Sequence, residues 1–328
     1  MKFVYALVLL PMLMTAQPVR KDTSWIPGQL QAGGDLPEKI LNARTVVLYS
    51  PNMTSKEVTE VHESMIRTGI DAVAYFETDR VFAGADVLQA FTKYFTTRET
   101  SCFVAVEKLE GRYRLMVMPY SGNEQIIDYS KPVWTAEHTQ LKEALRILYS
   151  TALNTYKRQN FLINDTPETN LGIPVIEGRR VEAFASDLKV DKLAIQKFGD
   201  ERLDLELEAI MKEYPLKYTL VDSSVPESEL RRQGYFYILK YVHCRAPVAK
   251  QLLGYEIAQS ETAVASVTYS KGIEQIKTIP SDIPVYKYYF RQIEFNNVYL
   301  GTRWDADITW QQALTNLIVG MKKEMRLN

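Results

Sequence analysis

Cysteine and histidine are scarce in this sequence. Its 328 residues include two cysteines, Cys102 and Cys244, and three histidines. Small disulfide scaffolds carry many more cysteines for their length, so packing must hold this protein together, and whether the two cysteines pair stays open. The histidines His62, His138 and His243 follow no spacing that is typical of a zinc site. We therefore predict no metal and no other cofactor.

An excess of charge of one sign is also missing. The 39 lysines and arginines are balanced by 40 aspartates and glutamates, and the formal net charge is -1. Nonspecific binding to nucleic acid requires a basic surface field, which this composition does not supply. We therefore do not expect nucleic acid as a partner.

The common catalytic motifs are absent as well. The sequence contains no Gly-x-Ser-x-Gly, no Gly-x-Gly-x-x-Gly, no phosphate-binding loop and no Cys-x-x-Cys. His62-Glu63 begins like a zincin motif, but Ile66 occupies the position of the second histidine. Cys244 follows His243, yet adjacent residues of a strand point to opposite faces, so a structural thiol is preferred over a nucleophile with its base.

Only the start of the chain carries a long apolar run. Lys2 precedes apolar residues from Phe3 to Leu13, and Thr15-Ala16-Gln17 offers a small residue for cleavage. The run is shorter than the roughly 20 apolar residues that a bilayer span needs. We predict a signal peptide at 1–16, cleaved after Ala16, and a mature chain that has no membrane span. The protein is then exported to the periplasm or out of the cell.

A strand followed by a helix occurs twice along the rest of the chain. The apolar run Arg44–Ser50 leads into the capping box Thr54-Ser-Lys-Glu57, and Gly69 can close the helix that follows. Asp191–Phe198 opens the second half of the chain in the same manner. We interpret the repetition as two tandem copies of one unit, since fixed-period similarity indicates a repeated architecture.

Each copy is predicted to close with a β-hairpin. In the first copy Tyr113–Tyr120 pairs with Gln125–Tyr129 around a turn at Gly122-Asn123. In the second copy the turn lies at Asn296-Asn297. The hairpins therefore place the last strands of each copy side by side.

A Trp-x-Ala-acid signal follows both hairpins. We predict that one helix starts at Trp134-Thr-Ala-Glu137, with Thr135 as its N-cap, and another at Trp304-Asp-Ala-Asp307, with Asp305 as its N-cap. Asp305 and Asp307 could also act as an acid–base pair. Their place at a helix N-terminus is the preferred interpretation, because the helix dipole stabilises carboxylates there.

Three regions lie outside the common pattern. The second copy carries an insertion at 245–284, in which Gly254–Ile257 and Ala263–Tyr269 are predicted to form an added hairpin. Between the copies, 159–190 is polar and rich in Asn, Thr and Pro, a composition typical of linkers. Residues 17–37 are predicted to be a flexible leader.

These elements define the fold prediction. Each copy has the order β-α-β-α-β-β-β-α, which indicates the α/β (α+β) class, with a mixed sheet covered by helices. The first α/β repeat spans 38–158 and the second spans 191–328. The alternative, that any two α/β segments look alike at this level, stays open.

The element order of the first copy resembles a known envelope domain. Tyr113–Tyr129, followed by Trp134 and a helix, is similar in order to the amino-terminal domain of TolB and related envelope modules. The resemblance implies this topology alone. No functional residue is carried over from it, because a shared fold does not determine function.

Aromatic residues gather near the end of the chain. Tyr286, Tyr288, Tyr299 and Trp304 could form an exposed surface that binds a glycan or a protein. Alternation along strands puts only half of such residues on one face, so packing in the core is the competing interpretation.

The functional prediction combines export, duplication and missing catalytic motifs. It is a non-enzymatic binding or assembly module of the cell envelope, whose partner is an envelope protein or a cell-wall component. The alternative is a periplasmic hydrolase whose site is assembled from distant segments, because sequence spacing does not exclude such a site.

Overall fold

The computed structural model describes residues 30–123, 125–169, 171–257 and 262–327. Within these ranges the chain forms two six-stranded sheets, a separate two-stranded hairpin and helices packed against them, which confirms the predicted mixed α/β class. The predicted signal peptide at 1–16 lies outside the described residues. Among the helices of the described ranges, none has the length and apolarity needed to cross a bilayer.

The first sheet and its helices come from the first half of the chain. A short 3-10 helix at Glu38–Leu41 precedes them. The elements of the first half follow in this order: β1 (Arg44–Tyr49), α1 (Ser55–Thr68), β2 (Asp71–Glu77), α2 (Thr78–Val81), α3 (Ala85–Thr97), β3 (Thr100–Leu109), β4 (Arg112–Pro119), β5 (Trp134–His138) and α4 (Leu141–Thr155).

Two short strands, β6 (Glu168–Thr169) and β7 (Arg180–Val181), come from the segment between the halves. A second 3-10 helix at Ser186–Lys189 follows them. The elements of the second half are β8 (Lys192–Gln196), α5 (Glu201–Met211), β9 (Tyr218–Val221), α6 (Glu227–Arg232), β10 (Tyr235–Arg245), α7 (Ala246–Leu252), β11 (Ala263–Ser270), β12 (Ile273–Pro280), β13 (Pro284–Gln292), β14 (Val298–Tyr299) and α8 (Trp310–Glu324).

The two large sheets share one strand order. It is β5-β4-β3-β1-β2 in the first half and β14-β13-β10-β8-β9 in the second. In both sheets the first three strands along the chain pair in parallel, and the last two pair antiparallel. A duplicated unit would have this arrangement, although the duplication itself stays a prediction.

Helix α1 begins and ends where its sequence predicts. The hydroxyl of Thr54 accepts the backbone N–H of Glu57, and the Glu57 carboxylate accepts the backbone N–H of Thr54. This completes the predicted capping box. Gly69 has φ 94°, and its N–H donates to the carbonyl of Met65. Glycine adopts this left-handed conformation at little cost, and the predicted C-cap is confirmed.

Both predicted Trp-x-Ala-acid helix starts are wrong. Trp134–His138 is strand β5, which pairs with β4 in place of the predicted strand Gln125–Tyr129. Trp134 and Ala136 alternate with more exposed residues, and their burial under α4 accounts for the strand. Thr135 therefore caps no helix, and α4 begins only at Leu141.

In the second half, α8 begins at Trp310, and its N-cap is Thr309 rather than Asp305. Asp305 and Asp307 lie in the segment before the helix and are buried, with exposed fractions of 4% and 2%. Each forms an ion pair with a lysine from an earlier strand, so a tertiary contact replaces the predicted capping.

Of the other two predicted hairpins, the second closing hairpin is confirmed, and the hairpin in the insertion forms from a different pair of strands. Strands β13 and β14 pair antiparallel around a turn in which Asn296 has φ 53°, which confirms the second closing hairpin. The insertion at 245–284 does contain a hairpin, but β11 pairs with β12 and not with Gly254–Ile257. Strands β11 and β12 are joined by the turn at Lys271-Gly272, whose two residues have positive φ.

The segments predicted as leader and linker are described in part, and parts of both are packed against the two halves. Within the leader 17–37, Leu36 is buried and Ala32 bridges to Val133. Within the linker 159–190, β6 extends the first sheet beside β2, and β7 extends the second sheet beside β14. The segment between the halves therefore adds one edge strand to each sheet.

Each sheet has a helix-covered outer face and an inner face. Helices α1 and α4 cover the outer face of the first sheet, and α5 and α8 cover that of the second. The inner faces share one buried cluster, to which α3 contributes Phe91 and β10 contributes Val242 and Cys244. The two halves are therefore joined through a common interior.

Candidate functional site

The aromatic residues predicted as a binding surface lie on two faces of the second sheet. Tyr286, Tyr288 and Tyr299 belong to the outer cluster under α5 and α8. Trp304 packs against the shared inner cluster, beside Tyr255 at a centroid distance of 5.1 Å. The structure therefore does not bring the four together as one surface. Binding at these residues stays a prediction.

Two of the histidines hydrogen-bond to separate partners. The Nδ1 atom of His62 lies 3.0 Å from the hydroxyl of Tyr75, and its Nε2 lies 3.2 Å from the carbonyl oxygen of Asp165. His138 ends β5, where its Nδ1 accepts the N–H of Gln140 at 3.0 Å. Within the described ranges no three His, Cys, Asp or Glu side chains are placed to hold a metal ion.

Strand β10 directs His243 and Cys244 to opposite faces. The His243 ring stacks on the ring of Tyr286 at 3.8 Å, and burial lowers the pKa of His243 to about 4. Cys244 faces the inner cluster as a free thiol, and Cys102 is also free and buried. Burial raises the pKa of both thiols, to about 12 for Cys102. Both cysteines are therefore held in the unreactive thiol form.

A first cluster of charges joins the two halves at the end of β10. The guanidinium of Arg245 donates to the carboxylates of Glu77 at 2.6 Å and Asp79 at 2.7 Å. Burial alone lowers the pKa of Arg245, but the two carboxylates raise it above its ordinary value. Arg245 therefore connects the end of β10 to the carboxyl end of β2.

A second cluster joins the halves at the N-termini of α3 and α6. Asp86 accepts the hydroxyl of Tyr289 at 2.8 Å and lies 3.0 Å from Nε of Arg291. Glu227 pairs with Lys240 at 2.9 Å and also with Arg291. Burial raises the pKa of Glu227, but the two cations outweigh it and lower the pKa.

The second cluster is better explained as a structural contact than as a reaction centre. Groups with shifted pKa values indicate a functional site when they converge on space that a ligand can enter. The cavity beside Asp86 and Arg291 has a volume of about 20 Å³, which is room for about one water. Their charges are paired across the contact between the halves.

A much larger space lies on the outer face of the first half. It is a groove of about 630 Å³ between α1 and α4. Its floor is formed by the buried side chains of Ser64 and Leu145. The residues that line its walls are polar or amphipathic: Lys56, Thr59, Glu60, Glu63 and Arg67 on α1, and Lys142, Arg146 and Tyr149 on α4. We call this space the α1–α4 groove.

Helix geometry accounts for the groove. Side chains three or four residues apart share one face of a helix, so the wall residues of α1 form a single stripe, as do those of α4. The small side chain of Ser64 at the floor leaves the space between the two stripes open.

The α1–α4 groove has a surplus of positive charge. Four lysines and arginines line it against two glutamates. Arg146 pairs with Glu143 on its own helix at 2.7 Å. Among the described residues, Lys56, Arg67 and Lys142 take part in no ion pair. Three cations at one groove are thus available to an anionic ligand.

The corresponding helices of the second half meet in a different way. The side-chain amide of Gln311 on α8 donates to Glu206 on α5 at 2.8 Å. Lys322 on α8 pairs with Glu213, just beyond α5, at 3.3 Å. Direct side-chain contacts thus connect α5 and α8, the helix pair that corresponds to α1 and α4 in the first half.

Sequence reasoning did not find the α1–α4 groove. Its residues are the polar faces of two helices far apart in the chain, and almost every surface helix has such a face. The signal that could have indicated it is that lysines and arginines outnumber glutamates on these two stripes. No protein-family model matches the chain, and no curated protein matches it either.

Proposed function

We propose that this chain is an exported, non-enzymatic binding module of the cell envelope, and that it holds an acidic segment of an envelope protein in the α1–α4 groove. Export is supported by the apolar run and cleavage pattern of residues 1–16. The observation that carries the binding proposal is the set of unpaired cations along an open groove.

The size and lining of the groove suit a few side chains of a partner. Binding pockets for small groups have volumes of about 300–1,000 Å³, and this groove measures about 630 Å³. Tyr149 is 37% exposed at its wall, and Leu145 provides an apolar floor. Tyrosine and arginine are the residues that most often anchor protein interfaces.

Charge favours an acidic partner. Carboxylates of the partner can pair with Lys56, Arg67 and Lys142 without displacing any existing ion pair. Glu60 and Glu63 lie on the same wall and repel acidic residues there, so they select the spacing of the partner's carboxylates. Each exposed pair contributes about 0.2–1 kcal/mol, and we expect a moderate affinity that salt weakens.

The test uses the full chain without the predicted signal peptide and a fluorescein-labelled oligoglutamate as the probe. Fluorescence anisotropy should show saturable binding that weakens as the salt concentration rises. The variant Lys56→Gln/Arg67→Gln/Lys142→Gln should bind on the order of tenfold more weakly, because three ion pairs are lost.

A matched control removes the same charge elsewhere. Lys189, Lys212 and Lys217 are exposed lysines outside the first half, and changing all three to Gln should leave binding unchanged. Equal weakening in both variants would mean nonspecific attraction and would contradict the proposal. Binding of solubilised cell-wall fragments that is unaffected by the groove variant would instead indicate another surface and another class of partner.

A further inference from the structure

Two adjacent apolar side chains stand in solvent just after α4. Phe161 is 91% exposed and Leu162 is 92% exposed, more than the other large hydrophobic side chains of the described ranges. Single exposed apolar residues are common on soluble proteins. An exposed phenylalanine next to an exposed leucine is a feature of interaction sites.

Hydrogen bonds attach both ends of this loop to the first half. On one side, the backbone N–H of Asn160 donates to the carbonyl of Leu41 at 2.9 Å, and its side-chain amide donates to the carbonyl of Gly69 at 3.0 Å. On the other side, the backbone N–H of Asn164 donates to the carboxylate of Asp71 at 2.9 Å. With both ends held, the apolar residues between them project from the protein.

Two cations precede the apolar pair in the chain. Lys157 and Arg158 are exposed, and neither forms an ion pair with a described residue. The side chain of Arg158 lies against Gly69, where the loop is attached. A nearby acidic residue, Asp165, is exposed on the far side of the loop. The two cations thus lie between the end of α4 and the apolar pair in the chain, and the acidic residue follows the pair.

We propose that the loop at 160–165 docks this protein on an anionic lipid surface. Phe161 and Leu162 enter the boundary between headgroups and acyl chains, and Lys157 and Arg158 contact the anionic headgroups. Peripheral membrane binding combines these two contributions, apolar insertion and attraction to anionic lipid. The combination favours a bilayer over an apolar pocket of a protein, which has no need of the adjacent cations. The proposal requires neither the α1–α4 groove nor its partner.

The test is sedimentation of the full chain, without its predicted signal peptide, with vesicles. One set contains phosphatidylcholine alone, and the other an equal mixture with phosphatidylglycerol. We expect binding to the mixed vesicles. Phe161→Ser/Leu162→Ser should weaken it by at least about tenfold, because the inserted apolar area is lost. Lys157→Gln/Arg158→Gln should weaken it by on the order of tenfold on mixed vesicles only.

Matched controls separate docking from general stickiness and from misfolding. Val190 and Phe295 are 71% and 62% exposed at positions outside the first half, and changing both to Ser should leave vesicle binding intact. All variants should unfold at the wild-type temperature, since the altered side chains are exposed.

Three outcomes would overturn the proposal. The first is a wild-type protein that stays in the supernatant with both vesicles. The second is a control variant that loses as much binding as Phe161→Ser/Leu162→Ser. The third is self-association of the wild type that this variant abolishes while vesicles have no effect, because a second copy would then cover the loop.

Discussion

The two halves of this protein have the same strand order and differ in how their outer helices meet. Between α1 and α4 there is an open groove of about 630 Å³. Between α5 and α8, Gln311 and Lys322 reach across to glutamates. The helices lie at corresponding places on the two sheets, and the side chains between them differ, because they line a groove in the first half and form direct contacts in the second.

The helices that face the shared interior also differ between the two halves. In the first half, α3 has 13 residues and packs aromatic side chains between the sheets. Its counterpart α6 has six residues. The inserted α7 supplies Ala246, Val248, Ala249 and Leu252 to the same shared cluster. The inserted segment thus adds apolar side chains to the interior that the two halves share.

The largest expected effect concerns a buried ion pair that belongs to the second half. Lys287 is fully buried, and its Nζ lies 2.5 Å from Asp305. Asp305→Ala leaves an uncompensated buried charge and should lower the free energy of unfolding by about 3–5 kcal/mol. Urea unfolding measures the change. Lys287→Met/Asp305→Leu should recover most of the loss, and a double variant as unstable as the single one would rule the ion pair out as the cause.

The contact between the halves is the next most sensitive point. A Cβ atom at Gly84 would lie 2.5 Å from the carbonyl oxygen of Tyr241. Gly84→Ala should therefore push the halves apart and destabilise the protein by about 1–3 kcal/mol, the usual cost of overpacking. Gly172 has open space around it, and Gly172→Ala is the control in the same thermal unfolding assay. Equal effects at the two sites would contradict a tight contact between the halves.

A smaller effect is expected from the difference between the N-terminal caps of α1 and α5, the first helices of the two halves. Asp200 caps α5, whereas α1 carries the capping box with Glu57. Burial raises the pKa of Glu57, but hydrogen bonds from Lys108, Tyr113 and Thr54 outweigh it and lower the pKa from 4.5 to about 2. Because the pKa is lower in the folded state, Glu57 stabilises the protein above about pH 4.5, and this is lost as the pH falls toward about 2.

The measurement is the free energy of unfolding of wild type and Glu57→Gln as a function of pH. The variant should be less stable by about 1–2 kcal/mol at neutral pH, a value reduced for solvent screening. The difference should shrink as the pH is lowered toward 2. A difference that does not change with pH would mean that the carboxylate charge is not the cause.

The smallest expected effect compares the contact between α5 and α8 with the α1–α4 groove. Gln311→Ala removes a hydrogen bond across α5 and α8, and it should cost about 0.5–1.5 kcal/mol. Arg146→Ala removes an exposed ion pair within α4, and it should change stability by less than about 0.5 kcal/mol. Thermal unfolding of the two variants measures both. A loss at Arg146 as large as that at Gln311 would mean that Arg146 makes a stabilising contact beyond its ion pair with Glu143.

Local signals in the sequence predicted local structure well. The capping box at Thr54 and the glycine at Gly69 determine the ends of α1, because both act on backbone groups within one turn. The turn at Asn296-Asn297 and the order of strands and helices follow from similar short-range patterns. These features could be predicted because their partners are neighbours in the chain.

Long-range partners explain what could not be predicted. Asp305 appeared to be a helix cap, but its partner Lys287 lies on another strand, and sequence spacing does not show that they meet. The strand β5 was predicted as a helix start for a similar reason, since its pairing with β4 spans a long loop. The α1–α4 groove is formed by two helices that only the fold brings side by side.

The amino-acid sequence by itself determined the mixed α/β class, the two ends of α1 and the turn at Asn296-Asn297, because these depend on propensities and hydrogen bonds between close neighbours in the chain. The tertiary structure alone decided which charges are buried in pairs and which remain free. It also decided that the two halves share one interior. Electrostatic pairing and apolar burial depend on distance in space, and a chain must fold before those distances exist.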